Sequence, residues 1–349
     1  MHISVIIKCF NEQSYIAACI ESALAALQGR DGEIVVADSG STDQTVEIAS
    51  RYPVRVVQLA NPSERSCGIG PQLGFEASHG DYVCLIDGDM VLAPSFLGDA
   101  LGFLAANPDF AGVSGRVRDV QFDSLEYVRR NRRPRAELNC GETDRLNGGG
   151  LFRRAAIESV GYFTDRNLHS YEEFDLGARL MEAGWRLQRL DRPFVDHYGH
   201  KTEAYGLLWR RFTTRYAFGL GEVVRAAVGK AHMARALRLP ELKLWVAVAA
   251  MWGCVLIAGI VLGPVVGLLG ALLAIGAPIA LMSWRYRSLQ LGTYAATGWL
   301  VHTIGFIGGL WQRRVDPKRP VASRVLHDAT ADRRRPGLDA FDGVSKTAS

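Results

Sequence analysis

The chain has little net charge, no paired-cysteine spacing and no internal repeat. Its 40 basic residues nearly balance 36 acidic ones, giving a formal charge of +4. A nucleic-acid-binding protein would carry a heavier and more clustered excess. None of Cys9, Cys19, Cys67, Cys84, Cys140 and Cys254 belongs to a CxxC pair, so zinc-site spacing is absent. The length argues against a disulfide scaffold. Reduced thiols are expected, with Cys9 and Cys84 as small apolar strand residues. No basic leader or small-residue cleavage site surrounds the apolar run Ile3–Ile7, which leads to the expectation of a cytoplasmic N-terminal domain. An apolar share of 48% and a charged share of 22% exclude a disordered or collagen-like chain. The most telling absence is local: Leu244 to Trp284 contains no charged residue.

What fills the first 200 residues is alternation. Strands are expected at Ile3–Ile7, Glu33–Ala37, Val54–Val57 and Tyr82–Ile86. Helices are expected at Tyr15–Leu27, Gln44–Arg51, Gly70–Ser78, Pro94–Ala106 and Glu172–Ala183. Strands separated by helices imply an α/β domain with a mostly parallel sheet. Ligands bind such sheets beyond the carboxyl ends of the strands, where the polar clusters fall. Residues 201–243 are rich in Arg, Trp and Tyr, which suits amphipathic helices on a membrane surface. The uncharged run would be about 60 Å long as helix, and Gly263-Pro264 divides it into two spans, 244–262 and 265–284. A third apolar segment, Thr293–Trp311, has basic flanks on both sides. The positive-inside rule therefore favours a membrane-embedded or interfacial segment. The chain thus divides into an α/β domain (1–200), interface helices (201–243), a membrane region (244–312) and a flexible cytoplasmic tail (313–349).

Three polar constellations could carry chemistry. Asp87-Gly88-Asp89 follows an apolar strand, and two carboxylates at that spacing can serve one Mg²⁺ or Mn²⁺ that keeps room for phosphate oxygens. Asp38-Ser39-Gly40-Ser41-Thr42-Asp43 also follows a strand. Asp38 could accept hydrogen bonds from a base or ribose, whereas Asp43 is better placed to cap the next helix. Glu172-Glu173-Phe174-Asp175 opens a helix, where acids suit the dipole, after the glycine run Gly148–Gly150. A carboxylate there is a natural general base. His197 and His200 follow the strand Pro193–Val195. His302, inside the apolar segment, reads as a packed, hydrogen-bonded imidazole. The cluster Arg129–Arg135 suits anionic headgroups or a lipid diphosphate.

Taken in order, Val5-Ile6-Ile7 with Asn11-Glu12, Asp38 to Asp43, Asp87-Gly88-Asp89, Gly148-Gly149-Gly150 and Glu172 to Leu176 resemble family 2 glycosyltransferases of the GT-A fold. The resemblance covers residues 1–200. It implies a nucleotide pocket lined by Phe10, Asn11, Glu12, Asp38 and Asp87, with uridine the default base. Asp87 and Asp89 would bind Mn²⁺ or Mg²⁺, with Asp89 the closer ligand and His197 a further metal or diphosphate contact. Gly149, Gly150 and Glu172 would shape the acceptor site, and Glu173 would be the catalytic base. The chain departs from the family at Lys8, where proline is usual, at Gln72-Leu73-Gly74, and in a glutamate at 173 where aspartate is commoner. No QxxRW motif occurs; Arg211 and Arg215-Tyr216 come nearest, which argues against a cellulose- or hyaluronan-type polymerase. The expected activity is inverting transfer from a nucleotide-sugar to a polyprenyl-diphosphate-linked saccharide in cell-surface polysaccharide assembly, at the inner leaflet of the plasma membrane. A bare polyprenyl phosphate acceptor and a non-catalytic membrane scaffold are the alternatives. A sugar nucleotidyltransferase would open with a glycine-rich loop and a basic residue, which the first strand lacks.

Overall fold

The computed structural model describes residues 1–120, 139–199 and 203–329. The Arg129–Arg135 cluster, His200 and the chain beyond residue 329 lie outside them. A ten-stranded sheet runs in the order β10-β3-β2-β1-β4-β8-β6-β9-β5, with β7 paired to β9. The strands are β1 (Ile3–Cys9), β2 (Gly32–Asp38), β3 (Arg55–Leu59), β4 (Tyr82–Asp87), β5 (Met90–Leu92), β6 (Phe110–Asp119), β7 (Gly141–Glu142), β8 (Gly150–Arg153), β9 (Arg186–His197) and β10 (Ser323–Asp328). The expected parallel core is β3-β2-β1-β4. Beyond it the sheet is mixed, because β8 returns antiparallel between β4 and β6.

The central strands are apolar on both faces because helices cover both. Val5, Ile7 and Cys9 of β1 pack with Ile16, Cys19 and Ile20 of helix α1 (Ile16–Leu27). Ile6 points the other way, against Ile69 and Leu73 of α3 (Ile69–Glu76), as strand alternation requires. Between these lies the short α2 (Thr45–Ala49), and α4 (Phe96–Ala106) and α5 (Arg154–Ser159) follow. Lys8 sits opposite Asp87 of β4, and Cys9 opposite Asp38 of β2. The register therefore delivers three charged side chains to one edge of the sheet.

Helix α6 (Glu172–Glu182) leads through β9 to the C-terminal helices. Of the region expected to lie on a membrane surface, α7 (Ala204–Thr213) shows large apolar side chains on its outside, Tyr205 and Trp209, while Leu208 is buried. Helix α8 (Gly219–Ala227) does not. Its Leu220, Val223 and Ala227 are buried with Leu168, Phe174 and Phe306. It can sit that deep because a Cβ on Gly219 would strike Ser170 Oγ at 1.9 Å and one on Gly221 would strike the Phe306 carbonyl at 2.1 Å. After α9 (Met233–Leu237), helices α10 (Pro240–Leu262) and α11 (Pro264–Tyr286) are long and apolar enough to cross a membrane. At ~1.5 Å per residue each spans about 34 Å, against a hydrocarbon core of about 30 Å. Helix α12 (Leu289–Trp311) is equally long. It lies against α11 and along α7, the 3-10 turn Tyr216–Phe218 and α8.

The C-terminal residues correct a second expectation. The stretch from 313 was expected to be a flexible tail, but its first part is a strap. Val315 exchanges hydrogen bonds with Asn167 at 2.7 and 2.9 Å, Val321 N donates to Glu76 at 2.8 Å, and β10 pairs antiparallel with β3. The apolar Val321, Val325 and Leu326 among turn residues give a short strand an edge to pair with. Arg314 reaches the fully buried Asp165 at 2.5 Å. Arg314→Met leaves that carboxylate without its cation, so a loss of about 3 kcal/mol is expected. The melting temperature of the purified chain checks it.

Candidate active site

The site is built where β1, β2 and β4 end. Gly88 can lie between two aspartates because a Cβ there would meet Cys9 Cβ at 2.9 Å and Glu12 Cγ at 3.1 Å. Its N–H donates to the Lys8 carbonyl at 2.9 Å, which fixes the turn to the first strand. Asp87 is about one-third exposed and Asp89 is buried. Lys8 Nζ stands 3.2 Å from Asp87 Oδ1 and 3.5 Å from Glu172 Oε1. Burial alone would lower its pKa, but the Asp87, Glu172 and Glu173 carboxylates outweigh that and hold the ammonium well above the ordinary lysine value. Lys8 appears in the sequence only as a departure from a motif. A lone lysine in a buried apolar strand needs an acidic partner, and that was the available signal.

Glu172 and Glu173 open α6 after Tyr171, whose φ of 67° is left-handed. Such strain at a non-glycine residue is characteristic of functional sites. Glu172 is buried and Glu173 half-buried. Burial and the neighbouring Glu172 charge, opposed by Lys8, push the Glu173 carboxyl up to about 7. That value lies near the optimum for a general base at neutral pH.

On the other side of Asp87-Gly88-Asp89, His197 Nε2 is 3.4 Å from Asp89 Oδ2 and Nδ1 is 2.8 Å from Asp119 Oδ1. A carboxylate behind an imidazole fixes its orientation, as in metal sites. Burial works against the imidazolium, but Asp119 and Asp89 push its pKa up to about 10. Asp119 was not foreseen, because the end of β6 lies far from His197 in sequence. Burial, with Asp89 and Asp87 nearby, pushes the Glu12 carboxyl up to about 8, so Glu12 favours its neutral form beside them. Among the described residues no three acidic, His or Cys side chains form a ready-made metal cage. Asp89 and Asp87, joined by His197 once its imidazolium gives up the Nε2 proton, are a partial set that fits a cation drawing its remaining ligands from phosphate oxygens.

The expected nucleotide residues form a second layer. Asp38 is fully buried. Its Oδ2 accepts from Gly40 N and Ser41 N at 2.9 Å and Gln58 Nε2 at 2.8 Å, while Oδ1 accepts from Ser41 Oγ. In this structure its carboxylate shapes the loop, at the position expected to meet a base or ribose. Asn11, at φ 58°, accepts from Thr42 N at 2.8 Å. Asp43 accepts from Thr45 N at 3.0 Å, the expected cap. The Arg65 guanidinium lies 3.5 Å over the Phe10 ring and donates to the Ser39 carbonyl at 2.8 Å. Gln72 holds the backbone N–H groups of Phe163 and Thr164 at 2.9 and 3.2 Å. His302 stacks on Trp245 and meets the Gly298 carbonyl at 2.8 Å, a packed imidazole as expected.

The glycine run serves close approach. At Gly149, with φ +92°, a Cβ would lie 2.1 Å from the Leu85 carbonyl. Gly149→Ala must therefore move the loop off β4, and a loss of about 2 kcal/mol or more is expected from strain alone. Thermal unfolding of the variant checks this.

Comparison with known proteins agrees with the fold. Residues 4–161 match the model of glycosyl transferase family 2, a span that ends before Glu172, Glu173 and His197. Succinoglycan biosynthesis protein ExoA of Rhizobium meliloti (strain 1021) is 26% identical over 340 residues, covering 91% of this chain and 96% of that protein. Poly-beta-1,6-N-acetyl-D-glucosamine synthase of Staphylococcus aureus (strain COL) is 24% identical over 237 residues, 64% of this chain and 55% of that one. Among solved structures, the mannosyltransferase PcManGT from Pyrobaculum calidifontis, in complex with GDP-Man and Mn²⁺, is similar at a TM-score of 0.58 and 22% identity. It covers 88% of this chain and 87% of that one.

Proposed function

The chain carries a family 2 glycosyltransferase domain over residues 4–161, and from that premise we propose an inverting, metal-dependent hexosyltransferase that extends a lipid-linked saccharide at a membrane surface. One observation carries the reading: the Asp87-Gly88-Asp89 turn, Lys8 and the acids opening α6 meet in one pocket at the ends of β1 and β4. Polysaccharide assembly is supported by the near full-length similarity to a succinoglycan biosynthesis protein. A nucleotide-sugar donor and Mn²⁺ are supported by the complex of the similar mannosyltransferase. Asp89 and His197, with Asp87 beside them, would hold Mn²⁺ or Mg²⁺, which when bound supplies a Lewis acid for the departing nucleoside diphosphate.

Glu173 takes the proton of the acceptor hydroxyl. That oxygen bonds to the anomeric carbon as the bond to the diphosphate oxygen breaks on the opposite face, so the carbon inverts. Lys8 keeps Glu172 and Asp87 paired, so that fewer like charges burden Glu173. Phe10, Asn11, Glu12 and the Asp38 loop bound the nucleotide pocket, and Gly149 and Gly150 set the loop beside the acceptor.

The membrane reading rests on α10 and α11. Helix α12 serves as the embedded or interfacial third segment, because it packs along α7, the 3-10 turn and α8. Those elements reach the site: Ser170 Oγ, just before α6, donates to the Tyr216 carbonyl at 2.8 Å. A pocket bounded by interfacial helices suits an acceptor held in the lipid, with the catalytic domain on the cytoplasmic side of the plasma membrane.

The pH profile tests the base. A carboxyl titrating at about 7 is a base above that pH and a spent acid below it. The rate should be flat above about pH 8 and fall tenfold per unit on the acid side of 7. The limb should vanish in Glu173→Gln. Product configuration, read by proton coupling at the new anomeric centre, tests inversion: retention overturns the direct displacement.

A further inference from the structure

At the C-terminal end of α6, a helix length from Glu173, a cleft of about 310 Å³ is lined by Tyr162, Arg179, Glu182, Lys230, His232 and Lys318. Four pieces of chain build it: the turn after α5 that carries Tyr162, α6, the link before α9 that carries Lys230 and His232, and the strap that leaves α12. Each of its acids is already paired with a cation, although Asp175 Oδ1 accepts no hydrogen bond. Asp175 accepts from Arg179 at 2.8 Å, and Glu182 pairs with Arg235 at 3.6 Å. Its lysines are not: among the described residues neither Lys230 nor Lys318 has an ion-pair partner. Lys318 lies over Gly161, whose missing side chain gives it room.

Three buried polar atoms there also lack partners. Tyr162 Oη, His232 Nε2 and Asp175 Oδ1 have no hydrogen-bond partner, and Tyr162 and His232 are each only 5% exposed. Asp175 Oδ1 stays 3.9 Å from His232 Nε2, beyond hydrogen-bond reach. A buried donor left unsatisfied is costly and wants an explanation. Burial, together with Arg314, holds Lys230 below its ordinary value. Burial, Lys230 and Arg179 outweigh Asp175 to do the same to His232.

We propose that this cleft binds a phosphate-bearing anion, with Lys230, Lys318, Tyr162 Oη and His232 Nε2 as its donors. A phosphate offers several acceptor oxygens to such a set, and charge-assisted bonds are the strong ones. The group can be a lipid headgroup, since the site sits on the links to two apolar helices, or free phosphate. Bound there, it clamps both links to α6, the helix that begins at Glu172. The site is separate from the carboxylate pocket and does not depend on the transfer reaction.

The test uses the full chain in phosphatidylcholine nanodiscs, melted while inorganic phosphate replaces chloride at constant ionic strength. A ligand of the folded state raises the melting temperature saturably. The native chain should show this rise and Lys230→Ala/Lys318→Ala should not. Tyr162→Phe, which keeps the ring, should need about tenfold more phosphate. Discs containing phosphatidylglycerol separate the sources. If the headgroup binds, they raise the native melting temperature without phosphate and abolish its effect; if free phosphate binds, they behave as phosphatidylcholine does. Equal responses in the native chain and both variants, or no response to either anion, overturn the proposal.

Discussion

Glu173→Gln is expected to lower kcat by about 10²–10⁴, the usual range for loss of a general base, with the donor KM nearly unchanged. Glutamine keeps the volume and hydrogen-bonding shape but cannot take a proton. The carboxyl it replaces is half-buried beside Glu172 and titrates at about 7. Glu173→Asp should retain part of the rate, because the acid remains and only its reach shortens. The size of the drop also reports the acceptor. A hydroxyl of a lipid-linked saccharide needs a base, so the full loss follows. A bare polyprenyl phosphate attacks already ionised, and the loss should then stay within about tenfold. Steady-state kinetics with each acceptor separates the two.

Lys8→Met is expected to be nearly as damaging, by a different route. The ammonium stands between the partly exposed Asp87 and the buried Glu172 at 3.2 and 3.5 Å. Removing one partner of a buried ion pair leaves charge without compensation, at about 3–5 kcal/mol. The sign on the pH profile is fixed as well. Lys8 lowers the Glu173 pKa, so its removal must raise it. The acid limb of the rate should move to higher pH, while Lys8→Arg should hold it near 7. A variant that loses stability but keeps the acid limb in place would show that Lys8 serves packing alone.

The parallel core was legible because its strands are short apolar runs between helices with clear periodicity. The polar clusters at its carboxyl edge could be placed from the same pattern, and Asp87, Asp89, Glu172 and Glu173 do converge there. Residues that act across long sequence distances were not legible. Asp119 meets His197 only because β6 and β9 pair in parallel, and neither strand carries a tell-tale motif. The mixed half of the sheet was missed for the same reason: β8 is four residues long and glycine-led. At Asp38 the structure adds a local role: its carboxylate holds Gly40, Ser41 and Gln58, which sequence pattern does not distinguish from ligand binding. Helix α8 looked amphipathic for a membrane surface, but its small residues let it sink between α6 and α12. The strap 313–329 looked like tail, since its partners Asn167, Glu76 and β3 all lie more than a hundred residues away.

The most direct test of the central claim is release of nucleoside diphosphate by the purified chain in detergent, supplied with UDP-, GDP- and dTDP-sugars, Mn²⁺ and native membrane lipid. The account predicts metal-dependent release from one donor, raised by the lipid and abolished in Asp89→Ala. No release from any donor, together with no metal-dependent nucleotide binding, would contradict it and leave a membrane scaffold that keeps the fold without the chemistry.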